Sequence, residues 1–251
     1  MPKQGGLGDA LYWHGYDLSG DINALGVIGG GPVPIDVTAI NKSANERIGG
    51  LRDGRMEMVT FFNPATDQAH DRFSVLPTTD VITTYCRSTV LGAPAAALNS
   101  KQANYDPTRA ADGSLTAAVN ALGNAYGLEW GNQLTAGTRT DTGAADGTGV
   151  DLLASSAFGL QAYLHVLAFA GTDVTVKIQE SSDNGVGDAW ADVVGGGFTA
   201  ITSTTPTAQR IQTARGLTVE RYLRVVTVTS AGFTNLAFQV TAMKNPVAVV
   251  F

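Results

Sequence analysis

Apolar and polar positions alternate along much of this chain in short runs, separated by clusters of Gly, Asp, Asn, Ser and Pro. Val174, Val176 and Ile178 are interleaved with Thr175, Lys177 and Gln179, and Leu236, Phe238, Val240 and Ala242 recur at every second position. A period of two is the signature of a half-buried strand. The same reading predicts strands over residues 11–16 (a docking arm being the alternative), 35–38, 55–62, 80–89, 95–105, 125–134, 159–170, 198–203 and 221–229, with a short one at Trp190. Turns are expected at 17–21, 49–54, 106–113 and 181–185, and a loop at 29–34, where three glycines and two prolines cluster. One segment follows a different period. Asn63 can cap, Pro64 can take the first helical position, and Ala65, Ala69, Phe73 and Leu76 recur at helical spacing until Pro77. A helix of about three turns is predicted there. Residues 42–48 are long enough for about one and a half turns more, and the alanine-rich run 115–125 suits helix on propensity alone.

Residues 135–149, TAGTRTDTGAADGTG, contain only small or polar types. Linker composition of this kind predicts a boundary between a first domain, 1–140, and an all-β sandwich, 150–251. The chain's 251 residues suffice for two cores. Only 15% of side chains are charged while 30 are glycine, so part of the surface is a candidate for cover by partners. Net charge is −6. Counting to Gly149 gives 15 acidic and 10 basic side chains, against 7 and 6 after it. No basic footprint for nucleic-acid binding is visible. Cys86 is alone, which excludes an intrachain disulfide framework. No apolar run approaches the length of a membrane span and the N-terminus lacks a signal-type core, so a soluble product assembled in a cytoplasm is expected.

Candidate chemistry is sparse. The histidines are His14, His70 and His165, far apart in sequence, and no G-x-S-x-G string occurs. His70 lies beside Asp67 and Asp71, which reads as a solvated helix face in preference to a metal site. The glycine cluster at 29–31 is followed by prolines and an extended run, where a phosphate cradle needs a helix N-terminus. A carboxylate pair for glycoside hydrolysis stays open among the acids, because its separation is spatial. Trp13, Trp130 and Trp190 are expected as core aromatics, with sugar stacking as the alternative. The chain is read as no enzyme, holding no cofactor and no metal.

The stretch 35–62, with Asp36-Val37-Thr38, a charged middle and Gly50-Leu51-Arg52-Asp53-Gly54-Arg55 leading into a strand, resembles the tail-tube (major tail) proteins of long, non-contractile-tailed bacteriophages, closest to those of actinobacterial phages. The resemblance continues through Asn63-Pro64, Lys101-Gln102-Ala103-Asn104-Tyr105-Asp106-Pro107 and Tyr126-Gly127-Leu128-Glu129-Trp130-Gly131. It implies a mainly β subunit, a tail-tube-like sandwich or barrel with one helix, and it tips the alanine-rich run to strand, over residues 114–122. The second part resembles the jelly-roll or Ig-like sandwich modules that decorate phage tails and heads, facing outward. The implied function is a virion protein that stacks as hexameric rings into the tube through which DNA passes without specific binding. Its partners would be itself and the tape-measure, terminator and baseplate components, with no membrane. The loop to the adjacent ring would hold Arg47, Leu51, Arg52, Asp53 and Gly54, its alternative being a local hairpin turn. A head decoration protein and a carbohydrate-binding sandwich are the other readings.

Overall fold

The computed structural model describes residues 5–248. The chain is mainly β, as its alternation predicts. In order the elements are β1 (Ala10–Trp13), β2 (Tyr16–Asp17), β3 (Ile22–Asp36), β4 (Arg47–Phe61), helix α1 (Ala69–Phe73), β5 (Val81–Cys86), β6 (Pro94–Arg109), β7 (Leu115–Gly123) and β8 (Glu129–Gln133). There follow β9 (Arg139–Asp141), β10 (Ala145–Asp146), β11 (Val150–Asp151), β12 (Leu160–Gly171), β13 (Thr175–Ser181), β14 (Ala191–Gly197), β15 (Thr207–Gln212), β16 (Tyr222–Val228) and β17 (Phe233–Lys244).

Two compact units form. One holds the chain up to Gly20, Ile82–Ala97 and everything from Glu129; the other holds Asp21–Val81 and Leu98–Leu128. The division expected at 135–149 is not where the compact units divide. Within that stretch β9 pairs with β17 and β10 with β16, partners too distant in sequence for composition to reveal. Arg139 adds to the hold, giving its guanidinium to Asp141 and to the carbonyls of Val225 and Ala145.

In the first unit β12 and β17 are long antiparallel neighbours, Tyr163 opposite Thr241 and Val166 opposite Phe238. Leu160, Ala162, Leu164 and Val166 with Leu236, Phe238, Val240 and Ala242 pack one face of this pair against Val176, Ile178, Val193, Leu223 and Val225 of the five-stranded sheet. The other face meets Ile82, Ala97 and Met243 around Tyr163. Nearby, Ala10, Tyr12, Cys86 and Ala95 cluster with Leu167. Two-sided burial explains why β12 reads as a continuous apolar run. The sheet curls back on itself at Gly15. Its φ is +93°, and a Cβ there would lie 2.5 Å from the Thr207 nitrogen, so only glycine lets the β1–β2 turn lie against β12 and β15.

In the second unit β4 lies between β3 and β7, and β7 pairs with β6. Met56, Met58 and Thr60 share a buried face with Ala121, Val119 and Ala117. The 115–125 run is strand as far as Gly123, closed onto β6 by a turn in which the Ala110 N–H donates to Ser114 O. The helix is shorter than its spacing predicts. Asn63 and Pro64 stay outside it, Asn63 bonding the Ala65 N–H instead. The Ala69 N–H at the helix start is met by the Asp21 carboxylate, which also accepts from Asn63. Residues 42–48 form no helix, because Thr38 takes the Glu46 N–H and β4 begins at Arg47. The expected loop at 29–34 is part of β3; prolines are tolerated there because β3 is an edge strand. Residues 198–203 contribute only the bridge of Ile201 to Val174, Trp190 sits just before β14, and β15 was not legible in the pattern.

Candidate interaction surface

β3 and β4 begin as part of a broader sheet and end as a two-stranded arm. The pairing of β4 with β7 runs from Phe61 to Arg55. Beyond it the β3–β4 ladder continues alone, with Gly31 opposite Asp53, Pro32 opposite Arg52, Ile35 opposite Ile48 and Asp36 opposite Arg47. Glycines mark the point of departure. Gly54 is buried, and a Cβ on it would lie 2.5 Å from the Leu128 nitrogen and 2.8 Å from Leu98 Cδ1. Its partner Gly30 would meet the Asp53 carbonyl.

The tip, residues 37–46, is closed by local polar bonds. Val37 N–H donates to Glu46 O, Glu46 N–H to Thr38 Oγ1 at 2.8 Å, and Lys42 pairs with Glu46 at 2.9 Å. The Thr38 hydroxyl and then its N–H hold the Asp36 carboxyl below the usual carboxylate range. These bonds shape the tip but bury no apolar surface.

The arm's side chains are what make it a candidate. Val33, Ile35 and Ile48 lie on one face, since cross-strand partners and alternate residues share a side. Val33 is 54% exposed and Ile48 53%, while Leu51, at the register shift, is 88% exposed and Ile40 at the tip is fully so. Covering a fully exposed side chain of this kind is worth about 1.5–3 kcal/mol, and an isolated two-stranded ribbon is marginal in water. Pro32 and Pro34 remove donors from this edge, which blunts further strand addition. Among the described residues, the guanidinium groups of Arg47 and Arg52 have no partner.

Of the residues singled out from sequence, Arg47, Leu51, Arg52 and Asp53 are all exposed, but on β4 and not in the expected loop or turn at 49–54, because pairing with β3 keeps this stretch extended. Gly54 is not; it is a packing glycine at the arm's root. Val33, Ile35 and Ile40 were missed. Their signal was available, since Ile35 opens the very run that drew attention and Val33 lies between the two prolines.

The other candidates are scattered. His70 Nδ1 lies 2.9 Å from the Tyr105 hydroxyl with Phe62 against its ring, whereas His14 and His165 meet in the first unit. No group of three metal-ligating side chains forms among the described residues, and no helix there is long and apolar enough to cross a membrane. Trp13 is a core residue as expected, but Trp130 is 54% exposed, edge-on to Tyr85. Trp190 is half-buried beneath the Arg224 guanidinium, 4.8 Å from the ring centre, which covers a face that a sugar would need.

No family model matches the chain, and no curated protein does. Among solved structures it is similar to the Dit protein of phage SPP1, described as a paradigm of the hub adsorption apparatus in phages infecting Gram-positive hosts. That likeness has 11% identity over 94% of this chain and 98% of that one, with a TM-score of 0.34. It is also similar to a chain of the phage p2 baseplate in its activated conformation with Sr, at 10% identity over 95% and 99% of the two chains, TM-score 0.36. The p2 baseplate with Ca gives 11% identity, 95% and 99%, and 0.32. Likenesses this distant leave the role to be argued from the arm.

Proposed function

We propose that this chain is a structural protein of a bacteriophage tail, polymerising as stacked hexameric rings into the tube through which the genome leaves. The observation that supports it most is the arm. A two-stranded ribbon with Val33, Ile35, Ile48 and Leu51 in water is half an interface, and a subunit surrounded by copies of itself supplies the other half. The resemblance of residues 35–62 and the strings after it to tail-tube proteins supports the same reading. On this reading Arg47, Leu51, Arg52 and Asp53 reach the adjacent ring, and the virion's tape-measure, terminator and baseplate proteins cap the stack. The chain works by covering surface and makes or breaks no bond.

Negative-stain microscopy of the purified chain tests this. Hollow tubes or stacked six-fold rings are the expected result. Single rings that never stack would move the chain to a hub at the tail end, and isolated trimers would make it a head decoration protein. A strict monomer at high concentration, even beside a tail initiator complex, would end the proposal.

A further inference from the structure

In the first unit the β1–β2 turn lies against β12 and β15, and a histidine bonds it there. His165 lies on β12 with no exposed surface. Its Nδ1 accepts the Gly15 N–H at 3.1 Å, and its Nε2 lies 2.8 Å from Thr84 Oγ1. An acceptor at Nδ1 places the ring proton on Nε2, so Nε2–H donates to the Thr84 hydroxyl. One neutral ring thus ties the turn to β12 and β5 together. The turn's own backbone reaches β5, the His14 N–H donating to Ile82 O at 2.8 Å, so His165 supplies the bond that reaches β12.

A second proton on this ring would sit on Nδ1 and face the Gly15 N–H, donor against donor. The groups around the ring are Tyr12, whose ring centre is 5.7 Å away, and His14, both from the hairpin; Thr84 and Cys86 of β5; Gln239 opposite on β17; and Ala208 opposite on β15. Of these Tyr12, His14 and Cys86 titrate. Burial pushes the Tyr12 hydroxyl and the Cys86 thiol up, so both stay neutral in acid. Asp17 acts on those two groups, and Asp9 on Cys86. Burial, and then the charge of His14, hold His165 down to about 3; burial lowers His14 as well.

We infer that the His14–Gly15 turn is an acid-sensitive latch: protonation of His165 releases the turn from β12, while the ladders of β12 with β15 and β17 and of β1 with β5 hold. The sign follows from linkage. The latched form excludes the proton and the open form takes it up at an ordinary histidine pKa, near 6.5. Opening is therefore favoured about tenfold per pH unit as pH falls from there toward 3. The effect is absent above pH 7.

Amide exchange resolved along the chain, expressed as protection relative to the intrinsic rate at each pH, reads this directly. Protection of the Gly15 amide, the one that His165 accepts, is expected to fall about tenfold per unit below pH 6.5, while residues 10–13, laddered to β5, and residues 233–244 keep theirs. The variant His165→Gln, which retains a donor and an acceptor but does not titrate, is expected to flatten that slope between pH 6 and 4.5. Level protection of the Gly15 amide in the natural chain over that range overturns the latch. So does an equal loss across all segments, or an unchanged slope in His165→Gln. The natural chain's profile decides the matter even if His165→Gln fails to fold.

Discussion

Two antiparallel pairs in this molecule are similar in length and opposite in character. β12 and β17 bury both faces, so each residue's side chain has partners within the chain. The distal half of β3 and β4 has the same ladder but buries neither face, and its apolar residues stand in water. Backbone pairing is common to both, so pairing does not decide stability; the side-chain environment does. One pair holds the subunit together, and the other is complete only when something outside covers it. Substitutions in the first pair are expected to act on folding, and those in the second on assembly.

The largest expected effect is in the buried pair. Phe238 on β17 is fully buried opposite Val166, and Phe238→Ala is expected to lower unfolding free energy by about 3–5 kcal/mol in denaturant titration. A loss under 1 kcal/mol would mean that β17 is not the centre of the unit.

A comparable loss is expected on the opposite face of the same pair, around Tyr163. Tyr163 donates to Glu129 Oε2 at 2.5 Å, and Arg210 gives Nη2 to Glu129 Oε1 at 2.8 Å and Nε to the Tyr163 hydroxyl at 3.0 Å. Burial, reinforced by the Glu129 charge, pushes the Tyr163 hydroxyl well above its ordinary pKa, so it remains a donor. The carboxylate and guanidinium are both about nine-tenths buried. Glu129→Ala strands the cation and is expected to cost about 3–5 kcal/mol, whereas the double change Glu129→Gln with Arg210→Met recovers most of it. Equal losses in the single and double variants would show that the cost is packing and not charge.

Next comes the cap of α1. Asp21→Ala removes the acceptor for the Ala69 N–H and for Asn63. A loss of about 1–2 kcal/mol is expected, with reduced amide protection confined to residues 63–74.

That cap also shows what a sequence can and cannot disclose. Strand period is local, so β13 and β17 were readable from spacing and β12 from its apolar run, whereas the strand that became β7 rested on the resemblance, and the turn expected at 49–54 is strand, because β4 continues through it opposite β3. The true start of α1 depends on Asp21, 48 residues before Ala69, and spacing pointed to Asn63 instead. The Gly-Pro run in β3 read as a loop because prolines are excluded from central strands; nothing local said that this strand lies at an edge. Residues 135–149 read as linker because their small side chains carry no pattern, while the strands that fix them lie some 80 to 100 residues on. His14 and His165 looked unrelated for the same reason, being brought together by a turn whose N–H crosses 150 residues.

The smallest expected effect on folding is in the arm, and it is the sharpest test of the comparison. Val33→Ser, Ile48→Ser and Leu51→Ser each remove an apolar side chain that is half or more exposed, so each is expected to change unfolding free energy by no more than about 0.5 kcal/mol. Assembly is where the cost would appear. If the arm is covered in the stacked state, removing three apolar contacts per subunit is expected to raise the concentration needed for tubes by at least tenfold, read by sedimentation and microscopy, in a chain that still melts normally. Charge reversal at Arg47 and Arg52, which have no partner among the described residues, is expected to weaken assembly less and in a salt-dependent way, because rim charges are screened. Unaltered tubes from the triple variant would separate the arm from assembly while leaving its geometry intact. The exposed residues of β3 and β4 would then be ordinary surface, and the contrast with β12 and β17 would describe two degrees of burial and nothing more.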